Sequence, residues 1–324
     1  MRICSLLIVA CGLAFAVHCV DAQTDAWQPS PGHTQIPIWP KEPPDAQPVT
    51  GPETVQTDPE NLVGGKPMSF VSNVSRPTMT VYSPKGNNTG VALVVFPGGG
   101  YRELAIDLEG TEICDWLTSK GITGVLLKYR VPDSGPHRDP QVQHQVDPKA
   151  PMALEDAQRT VGLVRFHAQE WHIDPHKIGV LGFSAGGHLV ADISTHFEER
   201  SYAAVDAADK ESCRPDFAVA LYPGHLCNWP GHPCSDKTLA LNPHIDVTTK
   251  TPPTFLLQAE DDHVDNVNES LVYYIALKSA GVPVEMHLYA QGGHGFGLRR
   301  TKMPITEWPS LVQKWLGSIG ILPQ

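Results

Sequence analysis

The stretch IGVLGFSAGGHLV, residues 178–190, constrains the fold more than any other part of this 324-residue chain. Its first six residues form an apolar run of strand type, and from Ala185 onward the pattern is helical. Ser184 stands at the junction, with Gly182 two positions before it and Gly186 two after. A tight strand-to-helix turn of this kind raises its central side chain above a sheet, and the flanking glycines let other backbone pass close by. A serine that merely caps the helix fits the same pattern, so spacing alone leaves both readings open.

The rest of the chain supplies the sheet. Apolar strand signals recur at 78–84, 90–100, 122–130, 217–224, 254–259 and 284–290. Helical patterns lie at 108–120, 152–171, 185–196, 267–280 and 305–318. In 152–171, Ala157, Val161, Val164, Ala168 and Trp171 recur at spacings of four and three, which is one helix face. Near-continuous apolar strands alternating with helices predict an α/β fold, a mostly parallel, doubly wound sheet with helices on both faces. Ligands of such sheets bind beyond the carboxyl ends of the strands, which is where Ser184 stands.

Residues 1–22 combine Arg2, an apolar run over 3–17 and small residues before Gln23. That is the pattern of a cleavable export signal, cut after Ala22, and it predicts a secreted or periplasmic protein with no membrane span. Residues 23–66, rich in Pro, Gln, Thr and Asp, read as an extended arm, leaving 67–324 as the α/β domain. The formal net charge of −11 argues against nucleic acid as a partner. Outside the leader the cysteines are Cys114, Cys213, Cys227 and Cys234. Cys227 and Cys234 bracket the turn-rich CNWPGHPC, and in an oxidising compartment they are expected to form a disulfide. No second ligand pair follows at zinc-finger spacing, so neither a metal nor a cofactor is expected.

A serine hydroxyl needs a base, and the base an orienting acid. In YAQGGHGFGL, His294 follows the last strongly apolar strand among glycines suited to a loop. In LLQAEDDHV, Asp261 and Asp262 follow the strand before it. The order Ser, Asp, His, each after a different strand, is the one expected of α/β-hydrolases. Aligning AEDDHV on the pattern G-E-x-D-P-L/V selects Asp262 as the acid, with Asp261 as the alternative. His188 is a rival base, but it lies four residues along the helix from Ser184 and reads as a packing histidine. FPGGGY, residues 96–101, supplies glycine N–H groups after a strand, so Gly98, Gly99 and Ala185 are the expected oxyanion donors. The lysine and Ser/Thr of a phosphate loop are absent there. Asp156 and Arg159 are spaced as a helix-surface pair or structural anchor, and Arg130 is expected to hold a loop.

Taken together, NVSRPTMTVYSP, FPGGGY, LKYRVP, EDAQRTVGLVRFHAQEWHIDPHKIGVLGFSAGGHL, TPPTFLLQAEDDHV and GGHGFGL resemble the bacterial α/β-hydrolases called BD-FAE-like. Members are labelled acetyl-xylan or feruloyl esterases, or misnamed xylanases. The resemblance runs from about Ile36 to the C-terminus. It implies an α/β-hydrolase fold, Ser184, Asp262 and His294 as a catalytic triad, and an oxyanion turn at PGGG, where Pro97 replaces the histidine of the related HGGG. The implied partner is a small-molecule or polysaccharide-linked ester, short acyl groups foremost, with acetyl or feruloyl groups on plant polysaccharide resting on the family analogy. Tyr101 and Trp229, in or near loops expected to rim the pocket, are candidates for stacking on a sugar or aromatic acyl group. A general carboxylesterase for small aryl or alkyl esters is the second reading. A non-catalytic carbohydrate-binding protein on the same fold is the third.

Overall fold

The structure, a computed structural model, describes residues 26–46, 51–132, 150–227, 232, 234–237 and 239–323. The expected export signal, Trp229 and most of the loop after Val131 lie outside the described residues. Among the described residues, eight strands form the main sheet: β1 (Gln35–Pro37), β4 (Thr78–Tyr82), β5 (Ala92–Phe96), β7 (Thr123–Lys128), β8 (Ile178–Phe183), β9 (Ala218–Leu221), β10 (Thr254–Ala259) and β11 (Val284–Tyr289). Their spatial order is β1-β4-β7-β5-β8-β9-β10-β11. The two pairings at the β1 end are antiparallel, and all others are parallel. Every residue of β5, β7, β8, β9 and β10 is buried, which is why these strands read as unbroken apolar runs rather than alternating ones. The edge strands β1 and β11, and β4 beside β1, are partly open.

Helices α1 (Glu112–Ser119), α2 (Ala150–Phe166), α3 (Ala185–Thr195), α4 (Asn268–Ser279) and α5 (Trp308–Ser318) connect and cover the strands. Trp116 of α1 meets Trp308 of α5 with ring centroids 5.5 Å apart, and α2 packs on α3. A single π-helical turn, Asp107–Thr111, precedes α1. The expected α/β fold is therefore present, with β8 at the centre of the sheet and α3 continuing directly from it.

The arm departs from expectation. Residues 35–37 add the outermost strand to the main sheet. Residues Thr54–Val63 form β2, which pairs antiparallel with β3 (Lys66–Ser72) and then β6 (Glu103–Ala105) in a second, three-stranded sheet. The expected boundary at 66/67 thus cuts through a hairpin. An ion pair and a hydrogen bond bind the arm down: Lys128 Nζ donates to Glu53 at 2.7 Å, and Arg159 Nε donates to the carbonyl of Ile38 at 2.9 Å. Asp156 and Arg159 do not pair with each other on a helix surface. Both are buried; Asp156 accepts from Arg130 at 3.0 Å, whereas Arg159 pairs with Asp206 and Asp209. Arg130 also donates to the carbonyl of Pro44, holding the arm as a structural anchor.

Candidate active site

Ser184 adopts φ 52° and ψ −120°, a left-handed backbone that a non-glycine residue occupies at a cost of about 1–3 kcal/mol. The close turn around it explains both flanking glycines. A Cβ on Gly186 would stand 2.8 Å from the carbonyl carbon of Phe96, and one on Gly182 would stand 2.5 Å from the carbonyl carbon of Gly186. The strain is held by the parallel ladder beneath: Ser184 N donates to Leu221 O at 3.1 Å, while its carbonyl accepts from His188 N and Gly224 N.

Three loops beyond the ends of β8, β10 and β11 converge on that side chain. Ser184 Oγ lies 3.0 Å from His294 Nε2, and His294 Nδ1 lies 2.7 Å from Asp262 Oδ2. Asp262 is buried and held in place by four donors: the ring of His294, Gln258 Nε2 at 3.1 Å, and the backbone N–H groups of Val264 and Asp265. Burial pulls the His294 imidazole towards its neutral form. The hydrogen bond to Asp262 and the charges of Asp265, Asp262 and Glu109 outweigh it and raise its pKa.

Asp261 lies beside this constellation and has a different task. Its Oδ1 accepts the N–H groups of Gly292 and Gly293, each at 2.8 Å, and so anchors the loop that carries His294. His188 is buried, with its Nδ1 2.7 Å from the hydroxyl of Tyr101. Tyr101 is itself 1% exposed, so the stacking platform expected of it is not offered to solvent. Its left-handed φ of 56° turns the ring inward against His188, Tyr129 and His225.

The oxyanion expectation needs one correction. Gly98 N does not point at open space: it donates to the carboxylate of Glu109 at 2.7 Å. Glu109 is 3% exposed, and its other oxygen accepts the hydroxyl of Tyr222 at 2.8 Å. That tyrosine hydroxyl in turn accepts the N–H of Gly297 at 3.1 Å, so Glu109 ties the glycine turn to the His294 loop. Burial raises the pKa of Glu109 against the hydrogen bond of Tyr222, the charge of His294 and the N–H of Gly98. Among the described residues, the N–H of Gly99 is committed to no acceptor, and Ala185 opens α3, where an N–H has no intrahelical partner.

Sequence reasoning missed one further group. Asp265 Oδ2 accepts from Ser184 Oγ at 3.2 Å and lies 3.7 Å from His294 Nε2. The signal was present in DDHVD, since a turn closed by Asp262 folds the residue three positions on back towards the serine. Away from this site, Asp192, His196 and His244 bring ligand-type atoms within 4.8 Å of one another. The two rings there are stacked, 22° from parallel, and so do not point at one common ion. Cys227 and Cys234 are joined by a disulfide, and Glu269 accepts the N–H of Cys227.

Comparison with known proteins agrees with this architecture. The pattern of a family described as α/β hydrolase fold matches residues 147–298. The structure of an acetyl ester-xyloside bifunctional hydrolase from Caldicellulosiruptor lactoaceticus superimposes with a TM-score of 0.65 at 33% identity, covering 89% of this chain and 97% of the other. An acetylxylan esterase of Xylanibacter ruminicola is 30% identical over 248 residues, 70% of this chain and 45% of that protein. A protein named endo-1,4-beta-xylanase B, from Butyrivibrio fibrisolvens, is 30% identical over 217 residues, 63% of this chain and 32% of its own length. The chain thus spans less than half the length of the curated relatives it matches. With the sheet order, the strained turn at Ser184 and a structural match at 33% identity over 89% of its length together, the chain belongs to the α/β-hydrolase family.

Proposed function

We propose that this protein is a serine esterase that removes short acyl groups, acetyl foremost, from carbohydrate esters of plant cell walls. The observation that carries the reading is the continuous contact from Ser184 Oγ to His294 Nε2 at 3.0 Å and from His294 Nδ1 to Asp262 at 2.7 Å. Neutral His294 takes the hydroxyl proton as Ser184 Oγ attacks the ester carbonyl. Asp262 fixes the tautomer that presents a bare Nε2 and stabilises the imidazolium that forms. The N–H groups of Gly99 and Ala185 stabilise the oxyanion, each such donor being worth about 3 kcal/mol. Gly98 serves differently, because its N–H is spent on Glu109. His294 then protonates the leaving alcohol, and water returned along the same path hydrolyses the acyl-enzyme.

The substrate assignment draws on the relatives named for acetylxylan and acetyl ester-xyloside substrates. Residues 1–22, read as an export signal, would carry the enzyme to such polymers outside the cytoplasm. Among the described residues no helix is long and apolar enough to cross a membrane. The test is a panel of acetylated xylo-oligosaccharide, feruloylated sugar and p-nitrophenyl esters of increasing chain length. Highest kcat/KM on acetylated xylo-oligosaccharide supports the assignment. A preference for p-nitrophenyl acetate over every sugar ester supports a general carboxylesterase, and no turnover of any ester overturns the enzyme reading.

A further inference from the structure

The site contains one carboxylate more than the proposed triad uses. Asp265 touches the nucleophile directly, with its Oδ2 3.2 Å from Ser184 Oγ, on a hydroxyl that is also 3.0 Å from His294 Nε2. One hydroxyl hydrogen cannot serve both acceptors. If Nε2 carries a proton and donates to Ser184 Oγ, the serine hydrogen is left to point at Asp265. That gives a row in which the carboxyl groups of Asp265 and Asp262 flank a protonated His294, with Ser184 between Asp265 and the ring.

We propose that Asp265 is a positioning residue that holds this resting row together, so that ester cleavage begins only after the imidazolium of His294 gives up its proton to solvent. This rests on the esterase reading above. Once Nε2 is bare, the serine hydrogen turns from Asp265 to His294, and the attack follows.

The surroundings fix the carboxylate. Its own N–H is held by Asp262 Oδ1 at 3.0 Å, and its carbonyl by Gln258 Nε2 at 2.9 Å. Gly224 lies against it so closely that a Cβ there would stand 2.5 Å from Asp265 Oδ1. The titratable groups facing it are His294 on the loop after β11, Asp262 on its own loop and Glu269 at the start of α4. Glu109, from the π turn, acts on His294 through its charge. Burial lifts Asp265 to about 6 against the charge of His294, with Asp262 lifting it further and Ser184 holding it down. Its charge is in turn one of the influences that raise His294.

The sign of the effect follows. The active form needs neutral His294, and Asp265 stabilises the protonated form, so removing the charge lowers the pH at which activity appears. Opposite charges this close shift a pKa by roughly one unit or more. Asp265→Asn is nearly isosteric, and Asp265→Ala removes the acceptor altogether. The experiment measures the acid limb of kcat/KM for p-nitrophenyl acetate in the wild type and both variants. Alongside it, NMR follows the titration of the His294 ring in the wild type and Asp265→Asn. Both readouts are expected to move down by about one pH unit in the variants. A purely structural role would lower the rate equally at every pH and leave the limb in place. An unchanged His294 titration overturns the proposal even if the wild type hydrolyses no ester. An absence of turnover in the wild type with a shifted titration refutes the esterase reading and leaves the coupling of Asp265 to His294 standing.

Discussion

Glu109 accepts the backbone N–H of Gly98 at 2.7 Å, in a position where neither group meets solvent. A buried carboxylate beneath a glycine turn sets where the adjoining N–H of Gly99 points, and its second oxygen links that turn through Tyr222 to the loop of His294. The two halves of the proposed catalytic apparatus are therefore braced by one side chain.

Glu109→Ala should leave the Gly98 N–H and the Tyr222 hydroxyl without an acceptor, each costing about 1–3 kcal/mol. Melting temperature should fall, and kcat for an acetyl ester should fall more than KM rises, because the oxyanion donor is displaced rather than the substrate pocket. Kinetics at a temperature where the variant is fully folded check this. Wild-type kcat under those conditions would confine Glu109 to a structural role.

The two neighbouring aspartates should separate cleanly. Asp262→Asn removes the carboxylate that receives His294 Nδ1 and should cost up to about 10⁴ in kcat by favouring the wrong tautomer. Asp261→Asn retains an oxygen for the N–H groups of Gly292 and Gly293, so its loss should be far smaller. Turnover numbers for the two variants decide the matter. The reverse order would move the acid to Asp261.

Replacing Cys227 and Cys234 together with serine should give a folded esterase with a lower melting temperature. A loop closed over a sequence separation of 7 predicts about 2–3 kcal/mol of stabilisation by chain entropy. Peptide mapping without reductant should recover the two residues as one cross-linked species. Free thiols at both positions would rule the bridge out.

Much of this was legible in the sequence because the central strands are buried on both faces and the serine turn is tightly specified. Phe183, Ser184 and Ala185 read as strand, junction and helix, and that is how they fold. The arm was not legible. Residues 35–37 gain their pairing only from β4, and β2 carries Thr, Gln, Asp and Glu with no apolar alternation. A polar hairpin held by tertiary contacts has no periodic signature. Gly98 was misjudged for a related reason: a glycine run shows that backbone approaches something, not that its partner is Glu109, eleven residues on. Tyr101 looked like a surface aromatic until its partner His188, distant in sequence, buried it.

The claim on which the rest depends is that Ser184 Oγ attacks the ester, and it is tested by comparing wild type and Ser184→Ala on acetylated xylo-oligosaccharide and p-nitrophenyl acetate. The expected result is an unchanged fold by circular dichroism, a loss of about 10⁴ to 10⁶ in kcat and no labelling of the variant by a serine-directed phosphonate that labels the wild type. Near-wild-type turnover by Ser184→Ala would contradict it.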